Sequence, residues 1–293
     1  RFADAGNRQT VMQQHIEQAR RVVKSVGAGS SFPLIVETDD RRLYLVKLRG
    51  GVAGRYGLLN EWLAGSIGQA MGLPVRRPTP VQIDAESGFE HLYIEIRELI
   101  QKSFGLNPGW HYYENSRPFS PHATEDDRPE RHDLFLLDLF LLNVDRSAQN
   151  PNLLETADGL LSFDYESSLM PAAWMEHRTP HQNPGVLMAL RNNPLFHENL
   201  PPQTFDRFFE RLSDLDWAAI VDDCPADWMP RNENSTAFDA KELQKTLRAA
   251  AKNPDLYRAV LQQLSALAPE SALSRQQTAL ANRTRFEQQL IKN

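Results

Sequence analysis

The pattern of apolar and polar residues changes near residue 132 of this chain. Before it, short apolar runs alternate with turn-forming residues, which is typical of strands joined by hairpins. One segment, Asn60–Met71, instead has apolar residues at helical spacing and ends at Gly72 and Pro74, so a helix is predicted there. The predicted strands begin at about Ala19 and cover Leu43–Leu48, Val81–Asp84 and His91–Leu99, with a hairpin turn at Asp39–Arg42.

After residue 132 the pattern is mostly helical, and several segments begin at Ser, Thr or Asp or carry an early proline. The predicted helices are Asp133–Leu142, Val186–Arg191, Pro202–Leu212, Trp217–Val221, Ala240–Ala251, Asp255–Leu267 and Leu273–Ile291. Between the two regions, Gln101–Arg131 is polar, contains prolines and is predicted to be an irregular linker or lid. The predicted fold class is therefore α+β, with an antiparallel β-rich region and one main helix over 1–100, the linker over 101–131 and a helical region over 132–293 that ends in a tail, 232–293.

Composition narrows the class of protein. The chain has 293 residues, of which 41% are hydrophobic and 24% are charged, as in soluble globular proteins. A net charge of -6 argues against a protein whose surface is mainly a binding site for nucleic acid. Cys224 is the only cysteine, which excludes an intrachain disulfide and a cysteine metal cluster. No apolar run approaches the roughly 20 residues that a membrane span needs, and we expect a cytoplasmic protein.

The most informative polar residues are Asp145, Asn150 and Asp164. The first two follow an apolar helical run, and Asp164 ends a second apolar run. Phosphoryl transfer needs a carboxylate near the substrate hydroxyl, together with hard oxygen ligands for Mg²⁺. The alternative is a surface loop, because Asn, Asp and Pro are also common turn residues.

The first hundred residues contain a second set of candidates. Gly27, Gly29 and Ser30 lie in a turn whose backbone amides could bind phosphate, or in a plain hairpin. Lys47 has apolar neighbours in the sequence. Its ammonium group therefore either binds an anionic group or faces solvent from an edge strand. Glu61, early in the predicted helix, could pair with Lys47 or stabilise the helix N-terminus.

With these residues in this order, the chain resembles the HipA-like kinases, in particular their smaller stand-alone branch. The resemblance covers about Val22 to Trp228, and its most specific part is Asn143-Val144-Asp145-Arg146 followed by Asn150-Pro151-Asn152. The other matching stretches are Val26–Ser30, Tyr44–Lys47, Asn60–Pro74, Phe163–Glu166 and Pro225–Trp228.

The resemblance implies a two-lobed protein-kinase-like fold that uses ATP and Mg²⁺. It implies that Lys47 contacts the ATP phosphates, with Glu61 fixing it, and that Asp145 is the base or orients the hydroxyl. The other implied site residues are Gly27, Gly29 and Ser30 on the phosphates, Asn150 and Asp164 on the metal, and Glu98, within a hinge at Glu95–Leu99, on adenine.

Two departures from the pattern concern the acceptor. Tyr165 and Glu166 follow Asp164, so the glycine of Asp-Phe-Gly is missing. No lysine stands two residues after Asp145, and Arg146 either substitutes for it or fixes the loop.

Three functions remain open at this point. The first is a serine/threonine protein kinase, with autophosphorylation at Ser30 or Ser31 as one outcome and an unidentified protein substrate. The second is a small-molecule or lipid kinase, because Asp164-Tyr165-Glu166 is similar to the Asp-x-Glu of aminoglycoside- and choline-kinase-like enzymes. The third is a non-enzymatic nucleotide-binding module. The resemblance also implies a possible antitoxin-type protein partner, while direct binding of nucleic acid is not expected.

Overall fold

Strands dominate the earlier part of the chain and helices the later part, so the mixed α+β class is confirmed. The structure is a computed structural model, and it describes residues 15–26, 33–51, 56–112, 116–119, 129–157, 159–230 and 238–268. Within these ranges, residues up to 51 join 78–112 and 223–228 in one unit. Residues 56–77, 116–222 and 229–268 form the other.

The first unit is built on a closed barrel. Its strands are β1 (Glu17–Ser25), β2 (Leu34–Thr38), β3 (Leu43–Val46), β4 (Thr79–Ile83) and β5 (Gly105–His111), in the order β1-β2-β3-β5-β4. The antiparallel sheet predicted for this region is therefore wrong in one respect, because β1 pairs with β4 in parallel and closes the sheet. Closure leaves no open edge. The interior is filled by apolar side chains that include Val22, Leu34, Val36, Tyr44, Val46, Val81 and Ile83.

The strand predicted over His91–Leu99 is wrong, because residues Ile94–Lys102 form the helix α2. Leu92, Ile94 and Ile96 alternate as in a strand, but the residues of α2 that pack on the barrel core are Ile96, Leu99 and Ile100. Those three positions have the three-and-four spacing of a helical face. Ile94 is left 52% exposed.

The linker predicted over Gln101–Arg131 contains a strand that the sequence pattern does not indicate. β5 lies between β3 and β4, although its sequence Gly-Leu-Asn-Pro-Gly-Trp-His is poor in strand-forming residues. Gly109 suits this position because a Cβ there would lie 2.5 Å from Val81 Cγ2 and 3.3 Å from Val46 Cγ2. Asn107 is buried, accepts a hydrogen bond from the Arg49 backbone and donates to two carbonyls. Close packing rather than propensity selects this strand.

The second unit contains the helices α1 (Gly57–Met71) and α3 (Pro129–Leu141) and a small sheet of β6 (Arg117–Pro118), β7 (Leu153–Thr156) and β8 (Gly159–Ser162). Its later helices are α4 (Ala172–Met175), α5 (Pro184–Arg191), α6 (Pro202–Ser213), α7 (Trp217–Asp222), α8 (Ala240–Ala251) and α9 (Pro254–Ala266). The predicted helix Leu273–Ile291 lies outside the described residues. No helix in the described part of the chain has the length and apolarity needed to cross a membrane.

Helix α1 belongs to this second unit rather than to the barrel. It ends at Gly72, which has φ 63° and donates its N–H to Gln69 and Gly68. Its glycines let the chain that follows return across the helix: a Cβ on Gly65 would lie 2.4 Å from Arg77 Cα, and one on Gly68 would lie 2.5 Å from Val75 Cβ. This contact fixes the position of the helix that carries Glu61.

Gly65→Ala should destabilise the protein by about 1–3 kcal/mol, because the added methyl meets backbone that cannot move aside cheaply. In an unobstructed helix the same change would stabilise by up to about 1 kcal/mol. The free energy of unfolding from urea titration measures the effect. Gln69→Ala, at an exposed position of the same helix, is the control and should be nearly neutral. Equal stability of the two variants would contradict this packing.

Candidate active site

A buried ion pair holds the loop that follows α3. Asp138 on α3 and the side chain of Arg146 are both inaccessible to solvent, and Arg146 Nε lies 2.6 Å from Asp138 Oδ2. Asn143 and Asn193 also donate to this carboxylate, at 3.0 and 2.8 Å. Burial opposes the charge of the guanidinium, but Asp138 outweighs it and the pKa of Arg146 is raised. The Asp138 carboxylate therefore accepts hydrogen bonds from three buried side chains, those of Asn143, Arg146 and Asn193.

The same guanidinium reaches the loop and the neighbouring sheet. Arg146 Nη1 donates to the carbonyls of Pro151 and Asn152 at 2.6 and 2.9 Å, and Nη2 donates to Ser162 Oγ at 2.7 Å. The ring of Tyr165 lies 5.3 Å from its central carbon. These contacts occupy the side chain inside the protein. Of the two roles considered for Arg146, the structure supports fixing the loop.

Asp145, next to this buried arginine, is exposed at the surface of the loop. Its Oδ2 accepts hydrogen bonds from the amide nitrogens of Asn150 at 2.9 Å and Asn152 at 3.3 Å. Asn152 adopts φ 48°, a conformation that asparagine tolerates better than most residues. The structure thus brings together Asp145 and Asn150, as the sequence predicts, and adds Asn152. An amide that turns its nitrogen toward Asp145 turns its oxygen away, and oxygen is the atom Mg²⁺ prefers.

A second group of polar residues lies where α1 meets the chain after β8. Carboxylate oxygens of Glu61, Asp164 and Glu166 all lie within 4.8 Å of one another. Glu61 and Glu166 are buried, and Asp164 is half-buried with φ 64°. Carboxylates this close repel one another unless a cation is near. A set of hard carboxylate oxygens is chemically suited to Mg²⁺, so the residues present fit the predicted metal.

Backbone contacts explain how this group is assembled. Asn60, beside Glu61 on α1, donates from its side-chain amide to the carbonyl of Glu166 at 2.9 Å and to that of Ser168 at 2.8 Å. The hydroxyl of Tyr165 lies 2.8 Å from Ser162 Oγ, which also accepts from Arg146. Arg146 therefore supports both the loop of Asp145 and the segment of Asp164.

The sequence alone does not identify Glu166 as a candidate metal ligand. The signal for it is the Asp-x-Glu pattern, which by itself indicates only a similarity to small-molecule kinases. Its place in the carboxylate group becomes visible once Glu61, more than a hundred residues earlier, is placed beside it. That proximity depends on the contacts of α1 and cannot be read from local sequence.

Lys47 lies in the first unit, immediately after β3. It is 7% exposed, its N–H donates to Pro108 at 3.0 Å and its ammonium lies 6.0 Å from the centre of the Trp110 ring. A solvent-facing edge-strand lysine is therefore excluded. Gly27, Gly29 and Ser30 lie outside the described residues. Glu98 is exposed on α2, so a contact with adenine would have to come from a helix rather than from the predicted strand.

The segment Pro225–Trp228 has contacts typical of a structural element. Trp228 Nε1 donates to the Leu106 carbonyl at 3.0 Å, and Asp227 pairs with Arg49 at 3.1 Å. The neighbouring Cys224 is buried, and burial raises the pKa of its thiol. Cys224 is therefore a packed residue, because burial disfavours the thiolate that a cysteine nucleophile needs.

Comparison with known proteins gives one family. A family model described as HipA-like kinase matches residues 19–260. No curated protein sequence matches the chain. Among solved structures, the chain is similar to the crystal structure of a Helicobacter pylori proinflammatory kinase, CtkA, with 14% identity and a TM-score of 0.44. That likeness covers 83% of this chain and 95% of the other.

Proposed function

Because the chain belongs to the HipA-like kinase family, we propose that it is an ATP- and Mg²⁺-dependent phosphotransferase that acts on serine or threonine in a protein. The proposal rests on one observation: the side chain of Arg146 supports two clusters of candidate site residues. One is the loop of Asp145 and Asn150, and the other is the carboxylate group of Glu61, Asp164 and Glu166.

The groups have distinct proposed roles. Asp145 accepts or orients the proton of the acceptor hydroxyl, and its hydrogen bonds from Asn150 and Asn152 hold the carboxylate in one orientation. Asn150, Asp164 and Glu166 would hold Mg²⁺, which when bound neutralises charge on the phosphates. Lys47 would contact the phosphates of ATP, and Glu61 would position it, in the two-lobed arrangement that the resemblance implies. Gly27, Gly29 and Ser30 would cover the phosphates.

A small-molecule or lipid acceptor is the second candidate, and the position of Glu166 favours it. An Asp-x-Glu pair with both carboxylates in one group is the feature that motivates this alternative. The two candidates share the nucleotide and metal chemistry and differ in the acceptor. A non-catalytic module would bind nucleotide without transfer.

Labelled ATP distinguishes these functions. The protein is incubated with γ-labelled ATP and Mg²⁺, alone, with cell-lysate proteins and with a metabolite extract. The expected result is label on protein as phosphoserine or phosphothreonine, with peptide mapping to test Ser30 and Ser31. Label confined to small molecules would favour the second candidate, and binding of ATP without label in any fraction would contradict both kinases.

Asp164→Asn should weaken the binding of a divalent cation by about 10-fold or more, since even outer-shell changes at metal sites cost roughly 10–100-fold. Mn²⁺ can be titrated in the presence of a non-hydrolysable ATP analogue, with free Mn²⁺ measured by electron paramagnetic resonance. Asp214→Asn, at an exposed position after α6, is the matched control. Unchanged Mn²⁺ affinity in Asp164→Asn would remove Asp164 from the metal site.

A further inference from the structure

Asn60 on α1 is a buried polar residue whose side chain binds a distant part of the chain. It is 2% exposed, and its side-chain nitrogen donates to the carbonyls of Glu166 at 2.9 Å and Ser168 at 2.8 Å. Its amide oxygen is buried and accepts no hydrogen bond from the residues that the structure describes. A buried acceptor without a donor costs free energy, so an apolar side chain would suit the packing of α1 better. The favourable effect of the amide is therefore on the two carbonyls that it binds.

These carbonyls belong to residues 164–170, the carboxylate segment, which carries two of the three carboxylates in the candidate metal site. The segment begins at Asp164, whose φ of 64° is a left-handed conformation uncommon for residues other than glycine. Its far end is held at the end of α3 by backbone hydrogen bonds from Leu169 and Met170. Asn60 binds the middle of the segment and so joins it to α1.

The charges of the site oppose this arrangement. Carboxylate oxygens of Glu61, Asp164 and Glu166 lie within 4.8 Å of one another, and negative charges at that distance repel. This repulsion pushes the carboxylate segment away from α1, which carries Glu61. Two hydrogen bonds from Asn60, the neighbour of Glu61, act in the opposite direction. Holding the ligands together in advance lowers the cost of binding a cation.

We propose that Asn60 is a positioning residue for the divalent cation. It acts through the backbone of Glu166, rather than by touching the cation or the nucleotide, and it raises the cation affinity of the carboxylate group. This role rests on the proposed function, in which that group binds Mg²⁺. Replacement of residues that orient metal ligands in other proteins lowers metal affinity or activity by about 10–100-fold.

Titration of Mn²⁺ in the presence of a non-hydrolysable ATP analogue, followed by electron paramagnetic resonance, measures this role. Asn60→Ala should raise the Kd for Mn²⁺ about 10-fold or more. Trp62→Phe is the matched control, because it removes another hydrogen bond that a buried side chain of α1 donates to a carbonyl. That carbonyl belongs to Ile220, outside the carboxylate segment. Trp62→Phe should leave the Kd unchanged even where urea titration shows a lower stability.

A double-mutant cycle shows whether Asn60 acts through Glu166. Glu166→Gln should itself weaken the binding of Mn²⁺, since a carboxylate becomes an amide. Asn60→Ala should then have a smaller effect in the Glu166→Gln background than in the wild type, because residues that act through one another are not additive. Equal effects in the two backgrounds would contradict action through Glu166.

Asn60→Ser keeps the test decisive if Asn60→Ala does not fold. Its hydroxyl is a single donor and can bind only one of the two carbonyls at a time, so a smaller rise in the Kd is expected. An unchanged Kd in the folded variant, or an equal rise in Trp62→Phe, would overturn the proposal. If Asp164→Asn weakens the binding of Mn²⁺ and the Asn60 variants do not, the metal site stands and only the role of Asn60 fails. If neither changes the Kd, the carboxylate group is not the metal site and both proposals fail.

Discussion

Asp145→Asn is expected to lower the rate of phosphoryl transfer by about 10²–10⁴-fold, the range that a positioned general base contributes. The change keeps the size of the side chain and removes its ability to take a proton. The loop should keep its shape, because Arg146 holds its backbone through the carbonyls of Pro151 and Asn152. The amide introduced at this position can still turn its oxygen toward the amide nitrogens of Asn150 and Asn152. Binding of ATP should therefore be retained.

Single-turnover transfer from γ-labelled ATP measures this effect, with nucleotide binding followed separately by thermal shift. Asp214→Asn is again the matched control, since it makes the same chemical change on the surface of the same unit. Transfer by Asp145→Asn at the rate of the control would mean that another residue serves the acceptor hydroxyl. Loss of nucleotide binding together with transfer would mean that the substitution has disturbed the loop.

Arg146→Met should destabilise the second unit by about 3–5 kcal/mol, the cost of leaving one member of a buried ion pair alone. Asp138 would keep its bonds from Asn143 and Asn193 but lose its charged partner. The carbonyls of Pro151 and Asn152 would lose their donor at the same time. The free energy of unfolding from urea titration, with the transition followed by tryptophan fluorescence, measures the loss.

Arg258→Met is the control for this prediction. Arg258 pairs with Asp206 and Asp255 but is 45% exposed, so its removal should cost at most about 1 kcal/mol. Replacing Asp138 and Arg146 together by apolar residues should recover part of the loss, because no buried charge is then left alone. If the two arginine variants are equally stable, the Asp138–Arg146 pair does not hold the loop in the way described.

Local sequence predicts most of the described helices, though not α2 or α4, and it predicts the loop of the candidate site. The helix α8 begins after Asp239, whose carboxylate accepts from the Glu242 N–H, and α5 begins with Pro184 after the capping residue Asn183. Caps and apolar spacing of this kind act over four or five residues and can be read from the chain. Asp145 and Asn150 are close for the same reason, because only five positions of one loop separate them.

The features that the sequence does not predict depend on packing between distant residues. The sequence around α2 is compatible with a strand, in which Leu92, Ile94 and Ile96 share a face. It is equally compatible with a helix, in which Ile96, Leu99 and Ile100 share a face, and packing against the barrel core selects the helix. β5 is a strand because it pairs with β3 on one side and with β4 on the other, although its own sequence contains glycine and proline. Glu166 joins the carboxylate group because Asn60 binds its backbone from α1. Each of these is a tertiary contact that overrides a local preference.

The buried arginine also has a consequence for genetics. A screen that scores only the phenotype of the cell would place substitutions of Arg146 beside those of Asp145, although the former is enclosed within the protein. Destabilisation of a few kcal/mol raises the fraction of unfolded chains exposed to proteases, and losses of even about 1–2 kcal/mol can change abundance several-fold. Immunoblotting of the mutant proteins would separate the two classes: a normal amount of inactive protein for Asp145, and a depleted amount for Arg146.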